Sequence, residues 1–530
     1  MEILKIIILT NKQNGSLDGC LCKHEIEMFN VIPKMSDLII NTKNIMIKKC
    51  NCISLMSCCA KNGYLSWLKY LHKLYLIKGI NDRLWNEEVF CNAARGHLDC
   101  LIYLHKRSLA KGENNVPWNN KACLYAAQGY LDCLVYLHEN GCPWDEQVYI
   151  NAAKGHLDCL KYIHKNGCPW DARVYETAAE GHLNCLKYLH KQSLSKGKND
   201  CPWNPAVYTF AARGHLDCLV YLHEQNLAKG ENNYLWNERV YVYAVNGGHL
   251  DCLKYLHKQS LARSEQSLAG SKQSLIEGKQ GCSWNETTCA YAAGGHLDCL
   301  IYLHENGCPW NEWVCESAAK GHLECLKYIH EQSSTECKQS SAEGKQSSAE
   351  CKQSSAECKN GCPWNEWACI NAANGHLDCL KYLHENGCPW DEKVYAYAGY
   401  GHLDCLKYIR EQNLADGKKY PWNEEVCQNA ARGHLDCLKY IHKQCLAEGE
   451  ICPWNEMACR NAARGHLDCL KYLHENGCSL CEAACTDAAN GHLECLAYLH
   501  ENGYPWNAQK CLDAAIGHFD CFDYLHMNGV

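Results

Sequence analysis

The sequence predicts an all-α fold, an α-solenoid of about 15 stacked helix–turn–helix repeats. Three observations carry this. A Gly-His-Leu triplet or a near variant recurs with its glycine at 63, 96, 129, 155, 181, 214, 248, 295, 321, 375, 401, 433, 465, 491 and 517. The spacing is 26 in six of the fourteen intervals, 32–34 in six, and 47 and 54 in the other two. Periods of this size mark an array in which each unit buries its apolar face only against its neighbours. The stretches on either side of each triplet have the length and periodicity of two short helices.

Residues 171–180 illustrate the first helix. Asp171 stands at the N-cap and the helix runs to Ala178 and Ala179. Other copies carry Asn86, Asn311 or Asn455 at the cap, followed by Glu, which suits the positive end of a helix. The Gly-His pair then turns the chain. The second helix, about 157–166, sends Leu157, Cys159, Leu160, Tyr162 and Ile163 inward. Asp158, Lys161 and Lys165 form its solvated stripe, and Asn166-Gly167 stops it. Extra residues always fall between the second helix and a tryptophan. The longest are heptad repeats at 259–279 and 332–359. Seven residues are close to two helical turns, so two readings are open: helical spurs or mobile loops. Neither insert has the aliphatic pattern of a coiled coil.

Bulk numbers set the class. Of 530 residues, 47% are hydrophobic and 21% charged, a composition that folds. Net charge is −8, which makes no case for a nucleic-acid or membrane partner. No stretch approaches the roughly 20 apolar residues of a membrane helix. The 43 cysteines, in a long chain with no signal-peptide pattern, read as free thiols in a reducing cytoplasm, packing as small hydrophobes.

His156, Cys159, His164 and Cys168 follow an H-x2-C-x4-H-x3-C spacing, near that of a zinc knuckle. Repetition argues for scaffold instead. Thirteen histidines lie in the Gly-His turn and fourteen at the end of the second helix, leaving only His24. The turn His becomes Tyr64 or Tyr130 in two copies, and inserts remove the fourth ligand elsewhere. No copy carries an extra nucleophile–base pair, and no glycine-rich phosphate loop follows a strand. The expectation is therefore no metal, no cofactor and no catalysis.

"AAKGHLDCLKYIHKNG" resembles the helix–turn–helix half of an ankyrin repeat, with its Ala-Ala pair, Gly-His-Leu turn, apolar helix and glycine. The resemblance covers about residues 50–530. It implies a protein-interaction scaffold. The units depart from the family: T-P-L-H is absent, and 26 residues are too few for the inter-unit hairpin. C-P-W-[ND] stands in its place, with Trp144, Trp170, Trp310 and Trp390 expected to plug the gap between units. Shortened units of this kind are similar to ankyrin-like proteins of large DNA viruses and protists. Residues 1–49 fit no unit; they read as an N-terminal cap or, since related repeat proteins carry one, a degenerate F-box-like segment.

In so regular a chain, function is sought where copies differ. Counting back from the turn glycine, positions −8, −5 and −1 of the first helix vary and share one face. They include Arg95, Lys154, Arg173, Glu176, Arg213, Trp313, Lys320, Trp367, Lys393, Tyr400, Arg432 and Arg464. The mixture of Arg, Trp and Tyr is that of protein interfaces. The expected function is a non-enzymatic, monomeric scaffold gripping partner proteins along this strip, with a ubiquitin-ligase substrate receptor as a subtype. Nucleic acid is not expected as a partner; a metal- or nucleic-acid-binding array is the alternative.

Overall fold

A computed structural model describes residues 49–77, 86–110, 116–195, 206–228, 236–269, 284–342, 364–417, 422–479 and 481–529. The expected N-terminal cap or F-box-like segment lies outside these residues. The described residues form thirty helices and no strand. The fold is thus an all-α solenoid of helix pairs, without inter-unit hairpins among those residues. The chain divides into two compact units, 1–152 with 158–169, and 153–157 with 170–530.

The first unit contains the pairs Lys49–Lys61 with Leu65–Ile77, Glu87–Ala93 with Leu98–Ala110, and Asn120–Ala126 with Leu131–Glu139. In the second unit the same alternation continues to Ala508–Ala514 with Phe519–Met527. Within each unit first helices pack on first helices and second on second. Glu286–Ala293 lies against Glu312–Ala318, and Leu297–Glu305 against Leu323–Ala342.

Local chemistry accounts for the elements. Asn side chains cap the first helices: Asn86 accepts from the Val89 N–H, Asn311 from Trp313, Asn365 from Trp367 and Ala368. Asp171 accepts from the Arg173 N–H at 2.9 Å. Paired alanines are buried where first helices meet, as at Ala178–Ala179 and Ala372–Ala373. The second helices bury Cys and Leu, as at Cys185, Leu186 and Leu189. Each such aliphatic contributes about 1.5–3 kcal/mol on burial.

The turns explain the Gly-His pair. All fifteen turn glycines have positive φ. Most also meet an aromatic ring from the following repeat. A Cβ on Gly375 (φ +103°) would sit 2.8 Å from Nδ1 of His402. One on Gly321 would sit 2.8 Å from Nδ1 of His376. Where the sequence has Tyr130 in place of His, its ring covers Gly96 in the same way.

Extra residues in the longer repeats lengthen the second helix. It has nine residues in a 26-residue repeat, as in Leu377–Glu385, and thirteen in Leu403–Ala415. It has twenty in Leu250–Ala269 and Leu323–Ala342. The described starts of both heptad inserts are therefore helical; residues 270–283 and 343–363 lie outside the described set.

Candidate functional site

Most chemically versatile side chains are used inside the stack. The histidine ending most second helices bonds a tyrosine one repeat along. His138 Nδ1 lies 2.9 Å from the Tyr162 hydroxyl, His304 3.0 Å from Tyr328, and His474 2.7 Å from Tyr498. The tryptophan of C-P-W stacks on the same imidazole. Trp144 lies 3.8 Å from His138 at 13°, and Trp310 4.0 Å from His304 at 13°. Both also meet the next repeat's tyrosine edge-on. The tryptophan thus fills the space between repeats.

The turn histidines reach back with Nε2. His97 donates to the Lys61 carbonyl at 2.8 Å and His296 to the Asn246 carbonyl at 3.0 Å. His402 and His518 donate to the side-chain oxygens of Asn374 and Asn490. The thiols do likewise. Cys159 points at the Ala126 carbonyl, and Cys168 donates to Asp145 O at 3.3 Å. Burial pushes the Cys159, Cys218 and Cys469 thiols up to about 11. His164 Nδ1 pairs with the Tyr149 hydroxyl at 2.8 Å. The zinc-knuckle spacing is therefore a by-product of packing: Cys159, His164 and Cys168 each face a different partner. Among the described residues, no three His, Cys, Asp or Glu side chains gather as a metal site.

One second helix carries no histidine at this position. Arg410 occupies the histidine position and is buried, with its guanidinium on Glu448 and over the Trp422 ring.

The variable strip lies on the solvent-facing side of the first helices. Positions −8 and −1 are mostly exposed and position −5 is half-buried. In the first unit, Arg95 caps the Tyr125 ring at 4.0 Å. In the second unit, Lys154 and Lys320 are exposed. Arg173 pairs with Asp171 at 2.8 Å, and Glu176 is half-buried. Arg213 sits between Phe210 (4.8 Å) and Tyr243 (4.6 Å), with Glu180 at 3.7 Å. Trp313 is 54% and Trp367 44% exposed. Lys393 lies 5.8 Å from the Trp367 ring centre and 3.5 Å from Asp391. Arg432 lies 5.8 Å from the Tyr400 ring centre. Arg464 shares Asp487 with Arg460.

The structure thus brings Trp367 to Lys393 and Tyr400 to Arg432, across neighbouring repeats. It adds partners in neighbouring repeats that reading one repeat at a time misses: Tyr125, Tyr243, Glu180 and Asp487. The available signal was an aromatic at −4 or −5, in the same repeat as the basic −1 for Phe210 and in the following repeat for Tyr125 and Tyr243.

The described residues define a helical-repeat α-solenoid with an exposed face of cations and aromatic rings. No known protein-family profile matches the chain, and no curated protein matches it. Among solved structures it is similar to the pentatricopeptide repeat protein PPR10 in complex with an 18-nt psaJ RNA element. That match has a TM-score of 0.29 and 10% identity, and covers 95% of this chain and 88% of the other. PPR10 from maize, matched without RNA in its description, gives a TM-score of 0.25 and 11% identity over 93% and 87%. The likeness is to a helical repeat in general and not to ankyrin proteins in particular.

Two expectations are corrected here. A protein partner was expected for the strip, and nucleic acid was set aside on the strength of the net charge. The pentatricopeptide repeat protein this chain is similar to is described in complex with RNA, which is a property of that protein. A net charge of −8 does not exclude nucleic acid, because it sums over separate ends of the helices. Exposed Asp158, Asp217, Asp251, Asp378 and Asp468 lie on the second helices, while the first helices carry exposed Glu87, Glu312, Glu366 and Glu424 at their starts and exposed Lys154, Lys320, Arg432 and Arg464 at position −1.

Proposed function

We propose that the protein is a non-catalytic nucleic-acid-binding repeat array that takes a strand along its first-helix face. The single observation carrying this is the row of Lys154, Arg213, Lys320, Arg432 and Arg464 at the turn ends of first helices, interleaved with exposed Trp313 and Trp367 and half-buried Tyr400. Cations neutralise phosphates, and aromatic faces accept bases. The repeats themselves we read as shortened ankyrin-like units in which the Trp segment replaces the hairpin. The support is the Gly-His-Leu turn and the paired alanines. Recurrent His, Cys and Trp side chains are engaged in holding repeats together, which supports a role without catalysis. The many buried thiols support a reducing, cytoplasmic setting.

The test is fluorescence anisotropy with labelled RNA and DNA oligonucleotides from 50 to 200 mM salt. Binding that weakens steeply and log-linearly with salt is expected. Absence of binding at 50 mM salt refutes the proposal.

A further inference from the structure

Resting on that reading, we infer that the ligand is a single strand with unpaired bases, and that it lies in one orientation across the first helices between Trp313 and Arg432. Its phosphates follow the turn ends and its bases point to the helix N-termini.

The face is polarised. At the turn end stand Lys320, Tyr400 and Arg432, with both cations exposed. At the other end stand Trp313 and Trp367, where one cation, Lys393, paired with Asp391, is outnumbered by the exposed carboxylates of Glu312, Glu366, Glu392, Glu424 and Glu425. Seven residues separate positions −8 and −1, about 10 Å at the rise of an α-helix. That is the lateral scale of one nucleotide from phosphate to base edge. A phosphate at the carboxylate end would be repelled, so only one orientation is favourable. The indoles then lie under bases, not under backbone. Trp313 and Trp367 project from first helices that pack directly on each other, joined by Asn365 on the Glu316 carboxylate at 2.9 Å. They are held at a fixed separation before any ligand arrives. A duplex hides its base faces and cannot use them. Carboxylates beside the stacking sites accept hydrogen bonds from exocyclic amino groups, so cytosine is favoured over uracil, which has none.

The experiment compares labelled 12-nucleotide oligocytidine and oligouridine RNA with a 12-base-pair duplex, on the full chain. Trp313→Ala/Trp367→Ala is expected to lose at least tenfold in single-strand affinity with an unchanged salt slope. Lys320→Ala/Arg432→Ala is expected to lower that slope by about 1.4. Oligocytidine should bind more tightly than oligouridine, and both more tightly than duplex. Trp313→Phe/Trp367→Phe, which keeps the rings, should retain most affinity. The inference is overturned if the double alanine variant binds like the parent while the salt slope persists, or if duplex binds as well as single strand. Those results leave the array proposal standing; failure of every oligonucleotide to bind at low salt removes both.

Discussion

The imidazole of His138 is held on two sides at once: Nδ1 lies 2.9 Å from the Tyr162 hydroxyl of the next repeat, while the Trp144 indole stacks on its face at 3.8 Å. Removing either contact should loosen one inter-repeat junction. Tyr162→Phe is expected to cost about 1–2 kcal/mol, and Trp144→Ala about 2–3 kcal/mol because that ring is only half-buried. Urea denaturation monitored by circular dichroism measures both.

Gly375 and Gly387 separate two reasons for glycine. Both have positive φ, +103° and +81°. An added Cβ at Gly375 collides with the His402 ring, whereas at Gly387 it meets nothing within 4 Å. Gly387→Ala should therefore cost only backbone strain, about 1–2 kcal/mol. Gly375→Ala should cost clearly more, since His402 must leave its place on Asn374. Equal denaturation midpoints for the two variants would contradict this account.

Acid should weaken the array. Burial holds the ladder imidazoles His105, His223, His257, His330 and His442 below the usual histidine value. It does the same to turn imidazoles including His182, His402 and His434. The unfolded chain, titrating near 6.5, then binds more protons than the folded one as pH falls, so stability declines with falling pH. The contribution is complete above about pH 6.5 and is lost on descending through the folded values. Urea midpoints should fall steadily from pH 7.5 to 5.5; a flat profile would count against buried neutral rings.

Buried thiols with raised pKa react slowly. Cys159, Cys218 and Cys469 should resist iodoacetamide at pH 8 in the folded protein and label fully in denaturant. Mass spectrometry of the labelled peptides decides it.

Arg410 offers a reciprocal test. Glu448→Gln takes a carboxylate from a buried guanidinium and should cost about 3 kcal/mol. Arg410→His places an imidazole where the ladder has one elsewhere, facing Tyr440 of the following repeat. The double variant Arg410→His/Glu448→Gln should recover most of the lost stability, and failure to recover would show that this junction differs from the others.

The fold was legible because its signal is repeated. A Gly-His turn, a cap and an apolar helix, each weak alone, become decisive over fifteen copies. Repetition also explains why the imidazoles and thiols read as packing. The strip was only half legible. The offsets −8, −5 and −1 located an exposed face, but a pattern counted inside one repeat cannot show that Arg432 reaches Tyr400 of the repeat before it, or that Arg213 is already shared with Glu180. The partner class was misread because net charge sums over faces that do not act together. Ankyrin resemblance supplied the protein-scaffold expectation, and resemblance in the turn does not specify what lies across the helices.

Each ladder bond joins a repeat only to its neighbour, as between His304 and Tyr328 or His384 and Tyr408. Under tension such an arrangement yields in increments. Drawing out one 26-residue repeat releases about 90 Å of chain, and the next junction bears the load unchanged. The second unit has the makings of a molecular spring whose step lengths follow the lengths of its repeats.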